Sequence, residues 1–114
     1  MPYIEIKTTV TLSEDQKVAL KSGLGKAITL IPGKTEAVTM VGLIGGVDLY
    51  FGGEALTHGA YVEVKMYKAT TRKAKVSINK AISDLLRTSI GVSPDNVYLT
   101  FFEQEEWGRR GELI

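Results

Sequence analysis

The chain has 114 residues with 14 basic and 13 acidic side chains, so it is sized for one domain and carries a formal charge of only +1. The absence of cysteine excludes disulfide bridging, thiolate metal sites and thiol nucleophiles, and a lone histidine leaves no pair with which to hold a metal. Balanced, interspersed charge gives no extended field for nucleic acid or an anionic membrane, and neither is expected as a partner.

The opening Met1-Pro2-Tyr3-Ile4-Glu5-Ile6-Lys7 alternates apolar and polar side chains, which predicts a strand over residues 3–8. No long apolar run follows a basic start, so it reads as neither a signal peptide nor a membrane anchor, and the expected location is the cytoplasm. Ser13 with Gln16 three residues on forms a capping box, and Glu14 and Asp15 suit the first turn of a helix. Leu20, Leu24, Ala27, Ile28 and Ile31 then recur at helical spacing, with Gly33 expected as a left-handed cap and a strand near residues 38–44. Between Gly42 and Gly59, the run Val47-Asp48-Leu49-Tyr50-Phe51 is too apolar for a plain loop. A short strand is expected there, placed to pair with a neighbouring subunit's sheet edge.

The second half repeats this order. A strand over residues 61–67 leads to Thr71 as helix cap, then Ile78, Ala81, Ile82, Leu85 and Leu86 on one helical face, Gly91 as cap, and a strand over residues 96–102. Shifting the chain by 58 positions sets Tyr3-Ile4-Glu5-Ile6-Lys7 on Tyr61-Val62-Glu63-Val64-Lys65, Ser13 on Thr71 and Gly33 on Gly91. The fold class is therefore α+β. Two strand–helix–strand units, about residues 2–44 and 60–102 of one domain spanning 1–114, form a four-stranded mixed sheet with both helices on one face. The other face, expected to carry Met66 and Tyr98, is left bare, which suggests an oligomer that closes over it.

Pro2 is the residue with the most chemical consequence. Removal of Met1 would expose a secondary amine, a good base only when neutral, so its site needs apolar walls and nearby positive charge such as Lys34. Arg109 and Arg110 have the geometry to hold a second carboxylate, although such a pair also suits a solvated tail. Arg72, as an early residue of a capped helix, is expected to face water. His58 has no partner histidine and reads as a surface side chain. Gly42-Leu43-Ile44-Gly45-Gly46 lacks the lysine and the following helix that a phosphate loop requires.

Met1-Pro2 opening a strand, Gly33-Lys34 after the first helix, Phe51-Gly52-Gly53 followed by Ala60-Tyr61-Val62-Glu63-Val64, and Ser93-Pro94-Asp95-Asn96-Val97-Tyr98 before an aromatic strand occur in order along the whole chain. This arrangement resembles the macrophage migration inhibitory factor family of the tautomerase superfamily, in its bacterial phenylpyruvate tautomerase-like form. The resemblance implies a homotrimer with active sites at subunit interfaces and Pro2 as catalytic base. It implies Lys34 as the carboxylate-binding lysine and Tyr98 as the pocket tyrosine contributed by a neighbouring subunit. Tyr67 stands where the family often has an isoleucine whose backbone amide contacts substrate. Thr100 stands in place of an asparagine, with shorter reach. Trp107 would replace a pocket tryptophan, but only across a gap in the alignment of the tail. The Cys-x-x-Cys motif of the cytokine-like member is absent.

The activity implied is keto–enol tautomerisation of a small 2-oxo acid such as phenylpyruvate, without metal or organic cofactor. Competing readings are another proline-dependent reaction on a short acid (hydration, dehalogenation or decarboxylation), a non-catalytic trimeric binding or signalling protein, and a ferredoxin-like monomer.

Overall fold

The computed structural model describes residues 1–114. In chain order the principal elements are β1 (Pro2–Thr8), α1 (Glu14–Ala27), β2 (Met40–Ile44), β3 (Tyr50–Phe51), β4 (Glu54–Ala55), β5 (Ala60–Tyr67), α2 (Arg72–Ile90), β6 (Val97–Gln104), β7 (Gly108–Arg109) and β8 (Glu112–Leu113). Four strands form one sheet in the order β2-β1-β5-β6. The outer pairs β1/β2 and β5/β6 are parallel and the central pair β1/β5 is antiparallel, as two strand–helix–strand units meeting at their first strands require.

Strand alternation decides which face is which. Ile4 and Ile6 of β1 and Val62, Val64 and Met66 of β5 point to the helices and are fully buried. Their intervening neighbours, Tyr3, Glu5, Lys7, Tyr61, Glu63 and Lys65, lie half-buried on the opposite face. Leu20, Leu24 and Ile28 of the first unit and Ile78, Ile82 and Leu86 of α2 close the core from above. Met66 thus belongs to the core and not to the bare face expected for it, because it is in phase with Val62 and Val64 at the two-residue period. Tyr98 does lie on the uncovered face and is 65% exposed.

Both helices start as the sequence dictates. Ser13 accepts from the Gln16 amide and Gln16 Oε1 accepts from the Ser13 amide, while Thr71 accepts from the Ala74 amide. Their ends differ. Gly91, at φ 69, is the left-handed cap of α2, but α1 stops at Ala27 and tightens into a 3-10 turn over Ile28–Leu30. Pro32 disfavours helical backbone at the residue before it, and Ile31 is extended although buried. Gly33, at φ 81, is therefore a turn residue beyond the helix and not its cap. Residues Glu36–Val38 form a second 3-10 turn, so β2 begins at Met40, later than the expected strand.

The apolar stretch after β2 forms a short strand, as expected. Tyr50–Phe51 pairs within the chain, with Glu54–Ala55, in a hairpin whose turn is Gly52-Gly53 at φ 58 and 84. This ribbon brings Phe51 against Tyr98 with ring centroids 5.2 Å apart. At the other end of β6, Glu103 accepts from the Thr70 amide and from Lys75 Nζ, both at 2.6 Å, tying β6 to the start of α2. The lysine and amide bonds hold the Glu103 carboxyl below its usual pKa.

Ile82 is fully buried between helix and sheet. Ile82→Ala is expected to cost about 2–5 kcal/mol, read as a lower urea midpoint at fixed protein concentration, whereas Val76→Ala, at an exposed position of the same helix, should leave the midpoint nearly unchanged.

Candidate active site

The amino terminus enters the molecule at the middle of the sheet. Pro2 opens β1 opposite Met66 of β5 and is buried in phase with Ile4 and Ile6. Lys34 reaches the same corner from the connection after α1. Residues 31–34 form a turn in which the Lys34 amide donates to the Ile31 carbonyl at 3.1 Å. Pro32 and the positive φ of Gly33 supply what a type II turn demands at its two central positions. The Pro-Gly pair thus aims Lys34 back at the sheet.

There Lys34 Nζ donates to the Tyr67 carbonyl at 3.0 Å, and the Tyr67 amide donates to the Met1 carbonyl at 3.3 Å. The Met1 amine lies beside the lysine. Burial, the Lys34 charge and hydrogen bond, and then the Arg109 charge lower its pKa from the usual 8.0 to about 6. With its pKa so lowered, the Met1 amine is mostly neutral near pH 7.

A concavity of about 420 Å³ opens here, lined by Met1, Pro2, Val38 and Met40 on one side and Trp107, Arg109 and Arg110 on the other. The second wall is a terminal hairpin. Trp107 and Ile114 exchange backbone hydrogen bonds at 3.3 and 2.9 Å, β7 pairs with β8, and Arg110-Gly111 turns at φ 55 and 78. Two positive φ values in a two-residue loop match the right-handed twist of the ribbon. The tail is therefore a folded hairpin whose residues from Gly108 to Ile114 remain exposed, and it brings half-buried Trp107 to the pocket.

The expected site residues divide into two groups. Pro2, Lys34, the Tyr67 backbone and Trp107 meet at this corner. Tyr98 and Thr100 do not. Tyr98 pairs with Tyr61, five residues along β5 from Met66, or roughly 17 Å at about 3.3 Å per residue. Thr100 Oγ1 shares a 2.8 Å hydrogen bond with the Tyr61 hydroxyl on the bare face. The Tyr67 side chain also faces that way, with Lys68 Nζ 5.3 Å from its ring centre.

Arg72 is the first residue of α2, exposed and away from Pro2, beside a separate hollow with Lys75 and Phe101. His58 is exposed in the linker, where its carbonyl accepts from Asn96 Nδ2 at 3.2 Å. The apolar wall of Val38 and Met40 was not singled out by the sequence reading, because neither residue belongs to a motif. No group of three or more His, Cys, Asp or Glu is placed to hold a metal, and no helix is long and apolar enough to cross a membrane.

A search of curated proteins by sequence returned no match. Solved structures give clear matches. A Leishmania major MIF2 structure superposes at a TM-score of 0.92 with 18% identity, covering 100% of this chain and 97% of its own. A macrophage migration inhibitory factor homologue from Prochlorococcus marinus gives 0.84 with 26% identity and 97% of each chain. Pt0534, in a form inactivated by 2-oxo-3-pentynoate, gives 0.79 with 23% identity, over 96% of this chain and 93% of its own. The family model described as macrophage migration inhibitory factor (MIF) matches residues 1–111. Spanning nearly the whole sequence, that match places the chain in the macrophage migration inhibitory factor family.

Proposed function

We propose that this chain is a keto–enol tautomerase for a small 2-oxo acid, with phenylpyruvate representing the substrate class, and that Pro2 is its base once Met1 is removed. The observation that carries this reading is the corner at the start of β1. There an amine is kept neutral by burial and by two cations, in a pocket with apolar walls. With Met1 in place the Pro2 nitrogen is an amide and has no basicity. Removal turns it into a secondary amine one residue from where the Met1 amine now sits, and it releases the Tyr67 amide from the Met1 carbonyl.

The reaction follows from these groups. Lys34 pairs with the substrate carboxylate and polarises the 2-oxygen, while the freed Tyr67 amide supplies a second donor to the same acid. The neutral Pro2 amine accepts the enol hydroxyl proton and becomes an ammonium. It then returns a proton to C3, giving the ketone and regenerating the free amine. Acid–base assistance of this kind is worth roughly 10²–10⁴ in rate. Val38, Met40 and Trp107 would surround an aryl group.

A homotrimer completes the site in this reading. Tyr98 and Thr100 lie far from Pro2 within one chain but are exposed on the uncovered face, where a neighbouring subunit would receive them. Pt0534 supports the substrate class: its inactivator is a 2-oxo acid whose conjugated alkyne accepts a neutral nucleophile.

Ultraviolet loss of enol phenylpyruvate by protein whose intact mass shows Met1 removed tests the reaction. Pro2→Gly should reduce the rate by roughly 10²–10⁴; equal rates, or no turnover by the processed protein, would overturn the reading. The ascending limb of the pH–rate profile should lie below the usual amine range, because the amine works only after losing its proton. Lys34→Ala removes a charge that disfavours the ammonium, so its limb should move to higher pH. Light scattering should give three times the chain mass; the mass of a single chain would contradict the assembly.

A further inference from the structure

We infer that Arg109 determines specificity, holding a second anionic group on the substrate at the side of the pocket across from Lys34, so that the preferred 2-oxo acid is a dianion. This rests on the tautomerase reading of the Pro2 site and narrows its substrate class.

The pocket carries more positive charge than a monocarboxylate uses. Arg109 and Arg110 line it, Lys34 lies beside the amino terminus that opens into it, and no Asp or Glu lines it. Five ion pairs occur in the chain and neither arginine takes part in any. Arg109 has Glu112 as its register partner across the hairpin, yet no ion pair joins them. An arginine this close to an acid and left unpaired keeps its guanidinium fork for another carboxylate.

Its position is also fixed. The hairpin is closed by two backbone hydrogen bonds between Trp107 and Ile114 and by a two-residue turn, so Arg109 sits on a paired strand two residues from the pocket tryptophan. Arg110 occupies the tip of that turn at φ 55 and is the less constrained of the two. The Arg109 charge reaches the amine corner, since it contributes to the lowered pKa there. Lys34 and Arg109 therefore approach the reacting centre from different elements, one from the turn after α1 and one from the terminal hairpin. A short acid with a carboxylate at each end has an anionic group for each cation; phenylpyruvate has one only.

Trp107 is the sole tryptophan and lines the pocket, so its fluorescence reports occupancy directly. Processed protein is titrated at fixed ionic strength with fumarate and with crotonate, planar four-carbon acids that differ in that crotonate has a methyl group where fumarate has its second carboxylate. Fumarate should bind roughly tenfold or more tightly than crotonate. Arg109→Gln should abolish that preference by weakening fumarate much more than crotonate, Arg109→Lys should keep part of it, and Arg72→Gln should keep all of it. Equal affinity for the two acids, a preference that survives Arg109→Gln, or loss of both acids in Arg109→Gln and Arg109→Lys alike would overturn the inference. Binding without turnover of phenylpyruvate would overturn the catalytic reading alone, and turnover without a fumarate preference would overturn only the role of Arg109.

Discussion

In the proposed mechanism an amine must stay uncharged beside a lysine and an arginine, and the architecture around the start of β1 disfavours its protonation. The cost of protonating it comes first from burial and then from the two cations. Burial follows from the sheet order: β1 is an interior strand, flanked by β2 and β5, so its first residues cannot swing out into solvent. Lys34 is held at this corner by the hydrogen bond from its Nζ to the Tyr67 carbonyl. One hydrogen bond thus anchors the cation that disfavours a second positive charge.

The remainder of the fold supplies rigidity to that corner on one face and an open surface on the other. Both helices spend their apolar faces on the same side of the sheet, where 17 buried residues form one core. The opposite side receives every second residue of β1 and β5, with their tyrosines, glutamates and lysines. Such a face is too polar for a core and too aromatic for a solvent surface, particularly with Met40 and Tyr98 exposed on it. A monomer would leave this face wet and the Pro2 pocket without Tyr98 or Thr100. In the proposed trimer, assembly and completion of the site would be one event.

Most of this fold is legible in the residues because local signals and the global pattern agree. The duplicated alternation places four strands and two helices, and Ser13, Thr71 and Gly91 mark helix ends that the structure keeps. Gly33 shows where duplication misleads. It aligns with Gly91, but Pro32 converts the end of the first unit into a turn, and it is this departure that delivers Lys34. The two hairpins were less visible. Gly52-Gly53 and Arg110-Gly111 are both two-residue turns, yet the strands they join are only two residues long and show no measurable periodicity. Met66 was misplaced for a simpler reason, since an apolar residue near a strand end fits either face until the phase is counted from Val62. Pro2 could be recognised as chemically special from its place in the chain. Its apolar wall could not, because Val38 and Met40 acquire their role only when the chain brings them to the terminal hairpin.

The account stands or falls on the protonation of one nitrogen. Protein labelled with 15N-proline and freed of Met1 gives one amine resonance, from Pro2, whose shift can be followed through a pH titration. The account predicts a midpoint well below the range usual for an exposed chain-terminal amine, moving upward in Lys34→Ala. A midpoint at or above that usual range, unmoved by the loss of Lys34, would contradict it.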